Sequence, residues 1–260
     1  MLFLLTKKTK FLLRVCFLVA AGRPLFSHFF YAKIAKFAGY FKYAMGKDKL
    51  RKFREIDTFS NVLQLDAGKP MKGRWAAEHF GNDRPIVLEL ACGKGEYTVN
   101  LARQFPDRNF IGVDYKGNRI WRGAKTALEE GITNVAFLRI QIETILEYFA
   151  PDEVAEIWIT FPDPQPQRSR EKKRLTHPVF LDRYRQIMDP AGVMHLKTDN
   201  DGLYAYTLEQ LAALELPVLA CTTDLYHSEL VDEVLSIKTY YERKYLEVSK
   251  NINYVKWRWR

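Results

Sequence analysis

From Arg84 onward, short apolar runs alternate with stretches of helical spacing, and this alternation constrains the fold more than any other feature of the chain. Ile86–Leu90, Asn109–Asp114, Val135–Arg139, Glu156–Thr160 and Val193–Thr198 read as strands. Tyr97–Gln104, residues 118–130, Phe180–Met188 and Leu203–Leu214 read as the helices between and after them. Pro217–Thr223 and Ile252–Trp257 are the last two strand candidates. Strands separated by helical segments bury a parallel sheet under helices on both faces. Two closing strands without a regular helical crossover point to an antiparallel edge. The expected fold is therefore α/β: a Rossmann-like, doubly wound, mostly parallel seven-stranded sheet with an antiparallel edge strand. Ligands of such sheets bind outside the carboxyl ends of the strands, so the residues just after each strand carry the functional reading.

The formal charge of +9 over 260 residues suggests a polyanionic partner. Its distribution is uneven. Residues 1–44 hold Lys7, Lys8, Lys10, Arg14, Arg23, Lys33, Lys36 and Lys42 and no acid, which leaves 32 basic against 31 acidic residues in the remainder. Composition changes at Met45, which opens a mixed-charge stretch with a basic cluster at 47–54. The expected organisation is an N-terminal extension over 1–44 and a single domain over 45–260 with a basic N-terminal arm at 45–80. The apolar run at 11–21 is interrupted by Arg14 and falls short of the roughly 18 residues that mark a spanning helix. It also resembles a signal-peptide core, so extension, peripheral anchor and export signal all stay open for it. Three widely spaced cysteines, Cys16, Cys92 and Cys221, argue against a disulfide framework and for a reducing compartment. The five histidines form no metal-ligand spacing, and no metal site is expected.

Two strand tips carry the first constellation. After the first strand comes Glu89-Leu90-Ala91-Cys92-Gly93-Lys94-Gly95. Gly93 and Gly95 let backbone approach a ligand and open the next helix. Asp114 ends the second strand, where a carboxylate accepts hydrogen bonds from ribose hydroxyls. The pattern is not GxGxxG, and Glu89 at the strand tip repels phosphate. It suits a cationic group, such as the sulfonium and amino end of S-adenosylmethionine. After the fourth strand, Phe161-Pro162-Asp163-Pro164-Gln165-Pro166-Gln167 sets Asp163 between two prolines that fix φ. A carboxylate so restricted is preorganised for a reacting group. Five cations follow within residues 168–174, a density suited to phosphate-backbone contacts.

These residues, with Gly112-Val113-Asp114, Thr198-Asp199 and Thr239-x-Tyr241-Glu242, resemble the bacterial tRNA (guanine-N7-)-methyltransferases, in order, from about Met45 to the C-terminus. The proline-flanked aspartate with its basic run is the specific part. The resemblance implies a class I methyltransferase fold and methyl transfer from S-adenosylmethionine to guanine N7 in the variable loop of tRNA. It implies cofactor contacts from Glu89, Gly93, Gly95, Asp114, Gln141 and Asp163, with Asp163 also catalytic. It implies substrate contacts from Gln167, Arg168, Asp199, Thr239, Tyr240, Tyr241 and Glu242. It carries tRNA as partner, no metal, no stable membrane insertion, a monomer and a cytoplasmic setting. Ala91 replaces a usual glycine, Gln165 a usual tryptophan, Gln167 a usual lysine and Gln141 a usual acid. A methyltransferase acting on another RNA, and a non-catalytic RNA-binding protein on the same scaffold, are the competing readings.

The remaining reactive side chains take structural readings. His195 lies inside a strand and reads as a packed histidine, His177 as a loop or cap residue, and Cys92 as a small packed thiol. Tyr240, Tyr241 and Trp121 are candidate stacking surfaces for a base. Lys256 and Arg258 in the final strand read as RNA contacts or as guards of a sheet edge.

Overall fold

In the central strands nearly every side chain is buried, which is the mark of a parallel sheet covered on both faces. All five residues of β2 (Ile86–Leu90) and of β3 (Asn109–Val113) are buried. The structure is a computed structural model that describes residues 48–64 and 71–259. Residues 51–260 form one compact unit. Its elements are β1 (Val62–Gln64), a π-helical segment (Trp75–Phe80), β2, α1 (Glu96–Gln104), β3, α2 (Gly117–Glu129), β4 (Val135–Arg139) and β5 (Val154–Thr160). There follow α3 (Pro178–Arg185), β6 (Met188–Thr198), α4 (Asp201–Ala213), β7 (Val218–Thr222), α5 (Tyr240–Glu247) and β8 (Asn253–Arg258). Short 3-10 turns occupy Ile142–Glu147, Arg168–Lys173 and Leu225–His227.

The eight strands lie in the order β1-β4-β3-β2-β5-β6-β8-β7. Only β8 runs against its neighbours, pairing antiparallel with β6 and with β7. The chain moves from β2 outward to β4, then returns to the other side of β2 as β5. That reversal opens a crevice at the carboxyl ends of β2 and β5, the topological switch point. Alternation along the strands splits the interior in two. Ile86, Leu88 and Leu90 join Trp75, Phe180 and Tyr184 on one face. Val87, Phe110, Phe137 and Trp158 join Tyr97 and Ile120 on the other.

The parallel, doubly wound sheet matches the expectation from sequence, and four details differ. An eighth strand, β1, pairs with β4 from within the stretch read as a basic arm. Ile56 and Trp75 of that stretch are buried, and Trp75 stacks on Phe149 with ring centroids 5.4 Å apart, so it packs into the body. The helix expected through Met188 ends at Arg185. Ile187 and Met188, whose apolar side chains mimic a helix face, instead lead into β6: Ile187 O accepts from Val154 N, and Met188 begins the strand opposite Val154. β8 is not an outer strand, because β7 covers it, so Lys256 and Arg258 do not guard an edge. Finally, α5 has no apolar stripe to betray it. Its one buried residue is Glu242, and a capping box starts it, with Thr239 accepting from Glu242 N and Glu242 accepting from Thr239 N. The run at 11–21 and the extension over 1–44 lie outside the described residues.

The first glycine turn is packed as tightly as a core. An added Cβ at Gly95 would stand 2.3 Å from the Phe137 ring, at Gly112 2.9 Å from it, and at Gly123 2.7 Å from it. Gly95 also holds φ +67°, where a Cβ is strained. Gly95→Ala is therefore expected to destabilise the protein by about 2–4 kcal/mol, from overpacking plus backbone strain. Urea unfolding measures this, and a loss below about 1 kcal/mol would show that the Phe137 ring moves freely aside.

Candidate active site

Each strand tip contributes one part. Glu89, near the end of β2, points to the α1 face and is buried. Its Oε2 accepts from Thr98 N at 2.9 Å and from the Thr98 hydroxyl, and its Oε1 accepts from the Thr160 hydroxyl. The carboxylate thereby ties β2 to the first turn of α1 and to the tip of β5. Burial outweighs these three donors and raises the Glu89 pKa to about 7. Cys92, in the same turn, is buried and its thiol is pushed well up by desolvation, so it is a packed thiol and not a nucleophile.

Asp114, just past β3, closes the turn from the other side. Its Oδ2 accepts from Gly93 N at 3.0 Å and its Oδ1 from Lys116 N at 2.8 Å. Desolvation raises its pKa despite those bonds. Each oxygen keeps a lone pair for a further donor. Ala91 takes φ +55° where the resemblance expects glycine, so alanine adopts the left-handed turn at some strain.

Asp163 follows β5. Phe161 N donates to Lys197 O at 2.8 Å, one rung beyond the β5–β6 pairing. Phe161 and Gln165 hold φ +48° and +46°, so non-glycine residues in the left-handed region bracket the proline-flanked aspartate. Arg174 Nε donates to Gln165 O at 3.2 Å, and its guanidinium lies over the Tyr206 ring at 4.2 Å. Asp163 is exposed and, among the described residues, has no hydrogen-bond partner. A loop braced on both sides thus presents a free carboxylate.

Asp114, Gln141 and Asp163 line one cleft of about 380 Å3 at the carboxyl ends of β2 to β5, with Ala91, Tyr115, Ile140 and Ile142 among its walls. The donor set fits a nucleoside-bearing ligand: a carboxylate for ribose hydroxyls, apolar and aromatic surface for a base, and a side-chain amide. The structure brings these three sequence-predicted residues together on one cleft. Four cations also line the cleft, Lys116, Arg119, Arg170 and Lys173, and the sequence reading missed only the first two. Arg170 and Lys173 belong to the run at 168–174. The other two open α2, where basic residues beside Asp114 were the available signal. Gln167 and Arg168 are exposed and do not line the cleft. A larger cavity of about 550 Å3 lies around Met188, Leu214 and Trp259, at the opposite ends of the strands, and holds none of these groups.

The other sequence-derived residues form a second group beside the glycine turn. Asp199 accepts from Lys250 Nζ at 2.6 Å. Tyr240 N donates to Glu96 Oε2 at 2.6 Å, and Lys94 Nζ lies 4.3 Å from the Tyr240 ring centroid. Tyr240 and Tyr241 are exposed and meet edge to face at 5.5 Å. Glu242 is wholly buried and pairs with Lys197 at 2.8 Å. Phe161 belongs to both groups, lining the cleft and touching Tyr245 at 6.0 Å between centroids. Trp121 offers no stacking face. It is buried, donates to Glu55 at 2.6 Å, and has Arg51, Lys52 and Lys125 over its ring. His195 is packed, stacking on Trp158 at 3.8 Å and bonding Tyr254 at 2.8 Å. His177 caps α3 by accepting from Val179 N. Among the described residues no acid, His and Cys cluster is suited to a metal ion, and no helix is long and apolar enough to cross a membrane.

A sheet of this order, with carboxylates and cations at its switch-point cleft, is the fold of the class I, Rossmann-like methyltransferases. The family model described as "Putative methyltransferase" matches residues 83–254. Among solved structures, an antibiotic-related methyltransferase superposes with TM-score 0.53 at 14% identity, covering 70% of this chain and 90% of that one. The 16S rRNA methyltransferase KamB does so with TM-score 0.51 at 16% identity, covering 67% and 87%. At these identities the likeness concerns the fold. The tRNA (guanine-N(7)-)-methyltransferase of Bacteroides thetaiotaomicron is 51% identical over 220 residues, covering 82% of this chain and 86% of that protein. That of Christiangramia forsetii is 52% identical over 219 residues, covering 82% and 98%. The chain belongs to the tRNA (guanine-N(7)-)-methyltransferase family.

Glu89 yields a pH test. Its folded pKa of about 7 lies above the ordinary 4.5, so the folded state holds the proton more tightly. The stability this brings is complete below about pH 4.5 and is lost as pH rises through about 7. Relative to Glu89→Gln, the natural protein is expected to lose about 2–3 kcal/mol between pH 5 and pH 8 in urea unfolding. Parallel stability curves for the two proteins would show that Glu89 does not titrate in this range.

Proposed function

We propose that this protein transfers a methyl group from S-adenosylmethionine to N7 of a guanine in the variable loop of tRNA, in the cytoplasm, with residues 45–260 as the working domain. The observation that supports it most is the cleft itself, where Asp114 and the unpartnered Asp163 stand on one wall system with Gln141. Asp114 and Gln141 would hold the nucleoside of the cofactor, and Glu89 would set the turn on which its cationic end rests. When bound, the cofactor supplies an electrophilic methyl on a sulfonium.

Guanine N7 carries a lone pair and no proton, so the chain need not provide a general base at the attacking atom. Its contribution is placement, and holding two partners in line is worth several kcal/mol. Asp163 would face the purine as it gains positive charge, and a fixed carboxylate stabilises that charge without reorganising. Arg170 and Lys173 line the same cleft and would take backbone phosphates. Gln167, Arg168 and Asp199 would contact the RNA farther out. Tyr240 and Tyr241 would offer ring faces to an unstacked base, a contact worth about 1–3 kcal/mol per base. Thr239 and Glu242 would serve that contact from beneath, as the cap of α5.

The test is incubation of the full chain with labelled cofactor and unmodified tRNA, followed by mapping of the methyl. Label at guanine N7 in the variable loop is expected, and Asp163→Ala is expected to keep the fold and lose about 100-fold or more in turnover. Label on another atom or in another RNA would overturn the substrate assignment. Unchanged turnover of Asp163→Ala would reject its role.

A further inference from the structure

A fully buried lysine lies at the centre of the second group, and neither the cofactor nor the guanine accounts for it. Lys197, in β6, has no exposed side-chain surface, and neither has Glu242, its ion-pair partner at 2.8 Å. Its ammonium donates to Leu235 O and to Ile237 O, both at 3.2 Å. The rings of Tyr97 and Tyr226 stand 5.3 and 5.8 Å from it. Glu242 is as fully engaged. It accepts from the Tyr226 hydroxyl at 2.5 Å and from Thr239 N at 3.0 Å. Removing two charges from water costs several kcal/mol per ion, and a buried pair repays this only with good geometry and further hydrogen bonds. Here every remaining bond of both ions goes to the segment 235–242 or to Tyr226. The pair therefore contributes a fixed backbone path more than net stability.

The path it fixes ends at Tyr240 and Tyr241. Tyr240 N reaches Glu96 at 2.6 Å, beside Lys94 of the glycine turn. The backbone oxygen of Lys197 also receives Phe161 N, the first residue of the Asp163 loop. One residue thus borders both the loop carrying the free carboxylate and the helix carrying the exposed rings. We propose that Lys197 is a positioning residue, whose ammonium latches segment 235–242 onto β6 through Leu235, Ile237 and Glu242 and so holds Tyr240 and Tyr241 where the RNA docks. The placement rests on the reading of the rings as an RNA contact. The latch does not.

The test is the double variant Lys197→Met/Glu242→Gln, which removes both buried charges while the glutamine oxygen keeps the acceptor for Thr239 N and its amide NH2 donates to the Tyr226 hydroxyl oxygen. Amide hydrogen exchange is followed across the chain, alongside KM and kcat for tRNA and equilibrium binding of S-adenosylmethionine. Exchange at 235–242 is expected to quicken about tenfold or more while β2 to β5 stay protected. The tRNA KM is expected to rise about tenfold with kcat within about threefold, and cofactor affinity to be unchanged. Uniform loss of protection together with weaker cofactor binding would show Lys197 to be ordinary core and overturn the proposal, as would an unchanged KM despite quickened exchange. Tyr226→Phe, which removes only one donor to Glu242, covers failure of the double variant to fold. It is expected to quicken exchange at 235–242 and raise KM about twofold to fivefold, and silence in both would overturn the latch. If the natural protein leaves tRNA unmethylated, the substrate reading fails, while the exchange result still decides the latch.

Discussion

One buried carboxylate holds the working end of this sheet together. Glu89 takes three donors from two threonines, one in α1 and one at the tip of β5. A hydrogen bond to a charged group is worth about 1.5–3 kcal/mol, yet desolvation of a fully buried carboxylate is larger still, which is why its pKa climbs to about 7. The group is thus poised near neutrality, in reach of small changes in its surroundings. Asp114 completes the frame by accepting from Gly93 N, so that two acids grip the glycine turn from β2 and from β3. The crevice beside this frame exists because the strand order reverses between β2 and β5.

Packing makes that frame unforgiving. Gly95, Gly112 and Gly123 come from a turn, a strand and a helix, and all three lie against the Phe137 ring. A methyl group on any of them would collide with that ring. The Asp163 loop is stiffened differently, by prolines, by two residues with positive φ and by the Arg174 bond to Gln165 O. Rigid backbone on both sides leaves the free carboxylate little room to wander.

Much of this was legible in the sequence because parallel strands advertise themselves as apolar runs and strand tips follow them directly. Asp114 and Asp163 follow from that logic, and Gln141 from the family resemblance. What stayed hidden depends on contacts between distant segments. The three-residue β1 is too short to show a period. Ile187 and Met188 look like a helix face until Val154 pairs with them. Thr239 and Glu242 carried a capping-box signature, but their resemblance to a substrate motif drew the reading outward to RNA, whereas Glu242 faces inward to Lys197. Lys197 drew no attention, since a lysine inside an apolar strand becomes informative only when its buried partner, 45 residues on in the chain, is seen.

Family membership and fold agree on a methyltransferase, and the geometry adds which residues build the frame and which remain free to act. The central claim is that the tip of β3 holds the donor's nucleoside through Asp114. Calorimetric titration of S-adenosylmethionine into the natural protein and into Asp114→Ala tests it most directly. The natural protein should bind, and the variant should bind at least about tenfold more weakly, the loss expected for one or two hydrogen bonds to a charged group. Equal affinity in the two proteins, or no binding to the natural one, would contradict the account.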